Sequence, residues 1–158
     1  MSTVNGNALR LSLATEIIPV PTLEESSDFR IKQTGQKTHA PSGAPVLFFD
    51  VLDTESQRIG IASIVAGPDD PSLIYTGHVC ATLSRERSEP DLLSRIGKAL
   101  IQCAFEIGLT VVRIVVPTDD SVSVDSCRLL LPASASTIVD TQGMAHATFL
   151  FYPKGDSS

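Results

Sequence analysis

YTGHVCATL (75–83), LLSRIGKALIQCAFEIGL (92–109) and VVRIVV (111–116) follow one another with little between them, and their reading decides the fold. The middle segment carries Leu92, Leu93, Ile96, Ala99, Leu100, Cys103, Ala104 and Ile107 at three- and four-residue spacing. Ser94, Arg95, Lys98, Gln102 and Glu106 fill the other face, which predicts an amphipathic helix. Pro90 followed by Asp91 suits a helix start with Asp91 as the cap, and Gly108 suits its end. The apolar run 111–116, broken only by Arg113, reads as an interior strand reached by a crossover helix and lying parallel to a strand over 73–83.

Outward from this unit the pattern changes to short strands and turns. Residues 46–52 and 58–65 are two apolar runs around the polar stretch 53–57, the pattern of an antiparallel hairpin, and 67–71 supplies a second turn before the 73–83 strand. Residues 29–33 alternate as a short strand, while GQKTHAPSGAP (35–45) has the chemistry of an exposed loop. Before them, 9–13 alternates as a half-buried strand, and Pro19 and Pro21 keep its continuation out of a central ladder. Beyond Pro117, residues 119–131 read as a short helix with an Asp or Ser cap, closed by Pro132. Strands over 136–140 and 145–152 follow, separated by a Gln142–Gly143 turn. The expected organisation is one domain over 9–153 between disordered tails at 1–8 and 154–158.

Composition narrows the function classes. A chain of 158 residues can bury one core without a metal or disulfides, and its 42% hydrophobic content argues for a folded domain. No apolar run reaches the roughly 20 residues of a membrane span, and the amino terminus lacks a signal-peptide pattern, so the chain reads as cytoplasmic. A formal charge of −6 disfavours nucleic acid as a partner. Cys80, Cys103 and Cys127 are widely spaced inside apolar segments and read as buried reduced thiols. His39 and His146 show no metal-ligand spacing with each other or with a cysteine, so no metal is expected.

The order of elements, together with Tyr75-Thr-Gly77-His78-Val79, resembles the GNAT superfamily of acyl-coenzyme A dependent N-acyltransferases. Small members carry a Tyr-x-Gly-His-Ile-Gly-Tyr strand followed by an Arg-Gly-x-Gly-Tyr-Ala loop. Ile59-Gly60 and Asp28-Phe29-Arg30-Ile31 also resemble family strands, and the likeness runs from about residue 9 to 131. The resemblance implies an α/β (α+β) fold with a mixed, mostly antiparallel sheet of about 6–7 strands, a parallel βαβ crossover and few helices. It implies acetyl-CoA or another acyl-CoA as donor and a small-molecule or peptide amine as acceptor. The donor would lie along Val79, Ala81 and Leu83, with its phosphates near Arg85, Arg87, Ser88 and Leu93. A homodimer through the last strands suits a member of this fold that binds or scaffolds without the cofactor.

Against that family frame, the glycine-rich loop falls on Ser88-Glu-Pro-Asp-Leu-Leu93, so both glycines become carboxylates and the arginine becomes serine. Glycines there let helix-terminal amides approach a pyrophosphate; Glu89 and Asp91 add negative charge and Pro90 removes a donor. Asp120-Ser-Val-Ser123 resembles the family's Asn-x-x-Ser with Asp in place of Asn, and no tyrosine follows in that helix to protonate a departing thiolate. His78, Asp120 and Cys127 are the remaining catalytic candidates, with a packed, hydrogen-bonded role favoured for His78 and a buried structural one for Cys127. Two functions stay open: an N-acyltransferase, or a domain of the same fold that binds or scaffolds without coenzyme A.

Overall fold

A computed structural model describes residues 28–40 and 42–154; the expected strand at 9–13 lies outside them. The described chain runs β1 (Arg30–Thr38), β2 (Pro45–Leu52), β3 (Arg58–Val65), β4 (Val79–Leu83), α1 (Pro90–Glu106), β5 (Val112–Pro117), α2 (Ser121–Leu129), β6 (Ser134–Val139) and β7 (Ala145–Phe151). This is the mixed α+β architecture expected, with seven described strands and two α-helices.

The strands divide into two antiparallel sheets, ordered β1-β2-β3-β4 and β5-β7-β6. The β2–β3 hairpin forms where the apolar runs predicted it, tightened by Asp53, whose carboxylate accepts the amides of Glu55 and Gln57, both at 2.9 Å. β1 is longer than the sequence suggested. It continues through Gly35 to Thr38, with a register shift between Gln33 and Gly35, so part of the expected loop is strand. Residues 35–38 read as loop because none of them is buried, and the irregularity after Gln33 breaks the alternation that would have shown the strand.

The 73–83 segment is shorter as a strand than expected. Residues Pro71–Leu73 form a 3-10 turn, with Asp70 capping the Ser72 amide at 2.7 Å, and regular pairing begins only at Val79. The parallel ladder expected between this segment and 111–116 does not form. The segment leading into β4 meets β5 at a single bridge, Gly77 to Ile114, and that bridge is antiparallel. Gly77 has φ of +75°, and a Cβ there would stand 2.6 Å from the Arg113 carbonyl oxygen, so the close approach requires glycine.

The helix α1 buries Leu92, Leu93, Ile96, Ala99, Leu100, Cys103 and Ala104, as its stripe predicted. These join Leu47, Phe49, Val51 and Ile64 of the first sheet and Val112, Ile114, Phe149 and Phe151 of the second in one core. α1 therefore packs against both sheets across the gap between them. Its cap differs from expectation: Glu89 occupies the N-cap without a side-chain hydrogen bond, and Asp91 sits in the first turn, bonded to the Arg95 Nε at 3.2 Å. Pro90 explains the shift, because its fixed φ suits the first helical position and pushes the cap back by one residue. Among the described residues no helix is long and apolar enough to cross a membrane.

Candidate functional site

Where β4 and β5 separate, a cleft opens between the strands and the two helices. Val79, Cys80 and Ala81 form one wall and Ile114, Val115 and Val116 the other, with Leu93 and Gly97 of α1 and Ser123, Ser126, Cys127 and Leu130 of the α2 region closing the rest. Its empty space is about 440 Å³, open mouth included. Among the described residues β4 pairs with β3 on one side only, so its other edge carries main-chain groups into this cleft. Gly97 makes the helices fit: a Cβ there would stand 3.2 Å from the Leu130 Cδ1 atom.

The closed end of the cleft is built around His78, which is 1% exposed. Its backbone amide donates to the Arg113 carbonyl at 2.7 Å, and its carbonyl accepts from the Val65 amide at 2.7 Å. Its ring Nδ1 accepts the Arg113 amide at 2.9 Å. An acceptor cannot carry a proton, so the ring is neutral with its hydrogen on Nε2. That Nε2 makes no well-formed hydrogen bond, although the Gly67 and Pro68 carbonyls lie near enough to favour protonation. Burial outweighs them and the nearby Asp69 charge, and lowers the His78 pKa below the usual histidine value. Above it, Arg113 holds Asp69 in a two-pronged pair, Nε to Oδ1 and Nη2 to Oδ2, both 2.9 Å. The hydrogen bonds from Arg113 hold the Asp69 carboxyl below its ordinary pKa.

The sequence-derived site residues are distributed along this geometry. Val79, Ala81 and Leu93 line the cleft, and Cys127 joins them from α2. Burial pushes the Cys127 thiol up to about 11, so at neutral pH it is a protonated thiol and a poor nucleophile. Leu83 turns into the core instead of the cleft. Asp120 caps α2, accepting the Ser123 amide at 3.2 Å and its hydroxyl at 2.7 Å, and does not line the cleft. Arg85 and Arg87 form a 3-10 turn ending at Ser88, ahead of α1. Arg87 lies 3.7 Å from Asp53, whereas Arg85 makes no ion pair among the described residues. Of the cysteines read as buried, Cys103 and Cys127 are, and Cys80 is exposed.

Several cleft residues gave little sign of themselves in the sequence. Neither Gly97 nor Ser126 stands out in the sequence, since one lies inside a helical stripe and the other is a small polar residue. The Ser126 hydroxyl is bonded back to the Ser123 carbonyl at 2.8 Å. Arg113 was visible as the lone charge in an apolar strand, which was the available hint that something charged faces it. A separate pair, His146 Nε2 to Asp140 Oδ2 at 3.0 Å, sits at the β6–β7 turn with the Tyr75 ring 5.9 Å away. The hydrogen bond from His146 is the main cause that lowers the Asp140 pKa. No group of three or more potential metal ligands occurs among the described residues.

A protein whose sheet divides at one bridge, with a helix-covered cleft in the gap, has the GNAT-like N-acetyltransferase fold. Solved structures of that fold superpose on it. A spermidine N-acetyltransferase SpeG chimera of Vibrio cholerae and human sequences matches with a TM-score of 0.54 at 12% identity, covering 72% of this chain and 70% of that one. A structure from Acinetobacter baylyi described as an acetyltransferase gives 0.52 at 14% identity, over 72% and 67% of the two chains. The yncA structure from Salmonella typhimurium, solved with acetyl-CoA, gives 0.51 at 14% identity, over 73% and 68%. No family model matches the sequence, and no curated protein does. At these identities the likeness is one of fold.

Proposed function

We propose that this chain transfers an acyl group, acetyl in the simplest case, from a coenzyme A thioester to an amine. The observation that carries the reading is the open edge of β4 facing an apolar cleft at the point where the sheet divides. An extended, amide-containing arm can hydrogen-bond to such an edge as an added strand would. Acetyl-CoA bound to the yncA structure, and the spermidine acetyltransferase activity named for the SpeG chimera, support a thioester donor and an amine acceptor.

The two ends of the cleft fit that donor differently. The inner part, with Val79, Ala81 and Leu93, suits an apolar arm. The outer part does not suit a pyrophosphate: Glu89 stands at the N-cap of α1, Asp91 follows in the first turn, and Pro90 contributes no amide. Arg85 and Arg87 are the cations beside it. The chemistry assigned to this chain's own residues is therefore limited to the inner cleft. β4 orients the acyl carbonyl by its main chain, the apolar walls exclude water, and the Cys127 thiol keeps its proton. The amine attacks the thioester carbonyl carbon as the free base, the C–S bond breaks, and the proton lost by the attacking nitrogen passes to the departing thiolate, so no side chain in the cleft is assigned to deprotonate the amine.

The acidic helix start favours a second reading, a binding or scaffolding domain that takes no coenzyme A. Titration of acetyl-CoA into the purified protein, followed by calorimetry, separates the two. Micromolar binding supports the transferase and removes the second reading, whereas no heat up to millimolar ligand removes the transferase. In either case we place a homodimer contact at β6, the outer strand of its sheet. Leu131 before it is 85% exposed and Val139 at its end is 59% exposed. A single mass near 16.8 kDa in sedimentation at high concentration would rule that contact out.

A further inference from the structure

We infer that His78 is the positioning residue that fixes where β4 and β5 part, by receiving on its imidazole Nδ1 the Arg113 amide that a regular ladder would give to a backbone carbonyl. Arg113 offers its amide and its carbonyl to this one residue, at 2.9 Å and 2.7 Å. Past that point no backbone hydrogen bond joins the two strands among the described residues, and the cleft-lining residues Val79, Cys80 and Ala81 begin at once. A paired neighbour would hold the strands about 4.8 Å apart along their length. Substituting a side chain for the next carbonyl satisfies the Arg113 amide and ends the pairing in one step, so the strands diverge without leaving that amide unbonded.

The device works only with neutral imidazole, because a protonated ring has donors at both nitrogens and nothing to offer an N–H. The charged groups facing the ring are Asp69, which favours protonation, and Arg113, which opposes it. The Gly67 and Pro68 carbonyls add to the Asp69 side, and burial outweighs both. The Nε2 hydrogen left without a good partner is a cost of this arrangement, incurred so that Nδ1 is free to accept.

The test has a part that does not involve any ligand. Nitrogen-15 NMR of the intact protein at pH 7.5 should show His78 as the Nε2–H tautomer with an unprotonated Nδ1, and the Arg113 amide protected from exchange. A protonated Nδ1 overturns the inference. Asparagine at this position places an acceptor oxygen near the Nδ1 site and leucine places none. His78→Leu should therefore speed Arg113 amide exchange by about tenfold or more, and His78→Asn should stay within about threefold of the parent. Equal exchange in the two variants overturns the inference, and if His78→Leu does not fold the tautomer measurement decides. On the reading that the cleft takes an acyl-CoA, acetyl-CoA affinity should follow the same order, with His78→Asn above His78→Leu. Absence of binding in the parent protein would count against that reading, and the NMR outcome would then decide the role of His78 alone.

Discussion

The two ends of the cleft are built on opposite principles. At the closed end, Gly77, His78 and Arg113 are held by short hydrogen bonds, and a Cβ added at Gly77 would meet the Arg113 carbonyl oxygen at 2.6 Å. At the open end, Arg85, Ser88, Glu89 and Asp91 lie on a turn and a helix start near the surface, with no capping bond from Glu89. The first fixes the shape of the site; the second sets what charge can enter it. On the proposed reading, the apolar inner cleft suits the arm of an acyl-thioester, and the acidic start of α1 opposes its phosphates.

The strongest way to break this contrast is at the closed end. Gly77→Ala should cost about 3 kcal/mol, from a left-handed backbone and a Cβ against a carbonyl, read as a lowered denaturation midpoint. A loss under about 1 kcal/mol would mean that β5 can move away and that the apex is softer than its contacts imply. At the open end the opposite sign is expected: the double change Glu89→Gly and Asp91→Gly should raise acetyl-CoA affinity by at least about tenfold. The same change should lower stability by about 1 kcal/mol, because glycine is a poor residue in a helical turn. Unchanged affinity would place the obstacle in the cleft instead of the entrance.

Smaller effects sharpen the same comparison. Asp69→Asn should cost about 1 kcal/mol, since its pair with Arg113 is well formed but partly open to solvent. The two groups also give the closed end a pH signature. The His78 pKa is lower folded than unfolded, so the unfolded chain binds the extra proton first. Stability is then complete above about pH 6.5 and falls as pH drops toward the folded value. The Asp69 pKa is also lowered, so its share is present above about pH 4 and is lost as pH falls through its folded value. Denaturation curves between about pH 4.5 and 7 should lose this slope in His78→Asn and keep it in Asp69→Asn. Gly97→Ala should change stability least, by under about 1 kcal/mol. Helix propensity gained there is offset by displacing the Leu130 methyl, and a cleft narrowed by one methyl is the expected structural result.

Local patterns made much of this legible. The three- and four-residue spacing of α1 placed its buried face, and the hairpin of β2 and β3 showed in its runs and polar turn. The Tyr75-to-Val79 segment carried the resemblance to the fold, although the sequence placed a continuous parallel pairing where the sheet divides. What escaped were features with no local periodicity. The bulge at Gln33–Gly35 hid half of β1 because it breaks the alternation that reveals strands. Asp91 looked like the cap because it is a better capping residue than Glu89, yet the proline between them fixes the first helical turn. Asp120 looked like a site residue by its place in a motif, and its carboxylate is occupied by Ser123 at the helix start.

By itself the sequence determined most of the described elements, their order and the acidic residues at the start of α1, because hydrophobic period, turn residues and charge act over a few positions. Gly77 appeared in the sequence only as part of a motif, and its positive φ and close approach to Arg113 came from the structure. Tertiary structure alone decided that the strands leading into the cleft meet at one bridge, that Leu83 turns inward while Cys127 reaches the cleft, and that His78 accepts instead of donating. Each of these depends on groups far apart in the chain, such as His78 and Arg113, whose meeting is set by how two sheets pack on one helix.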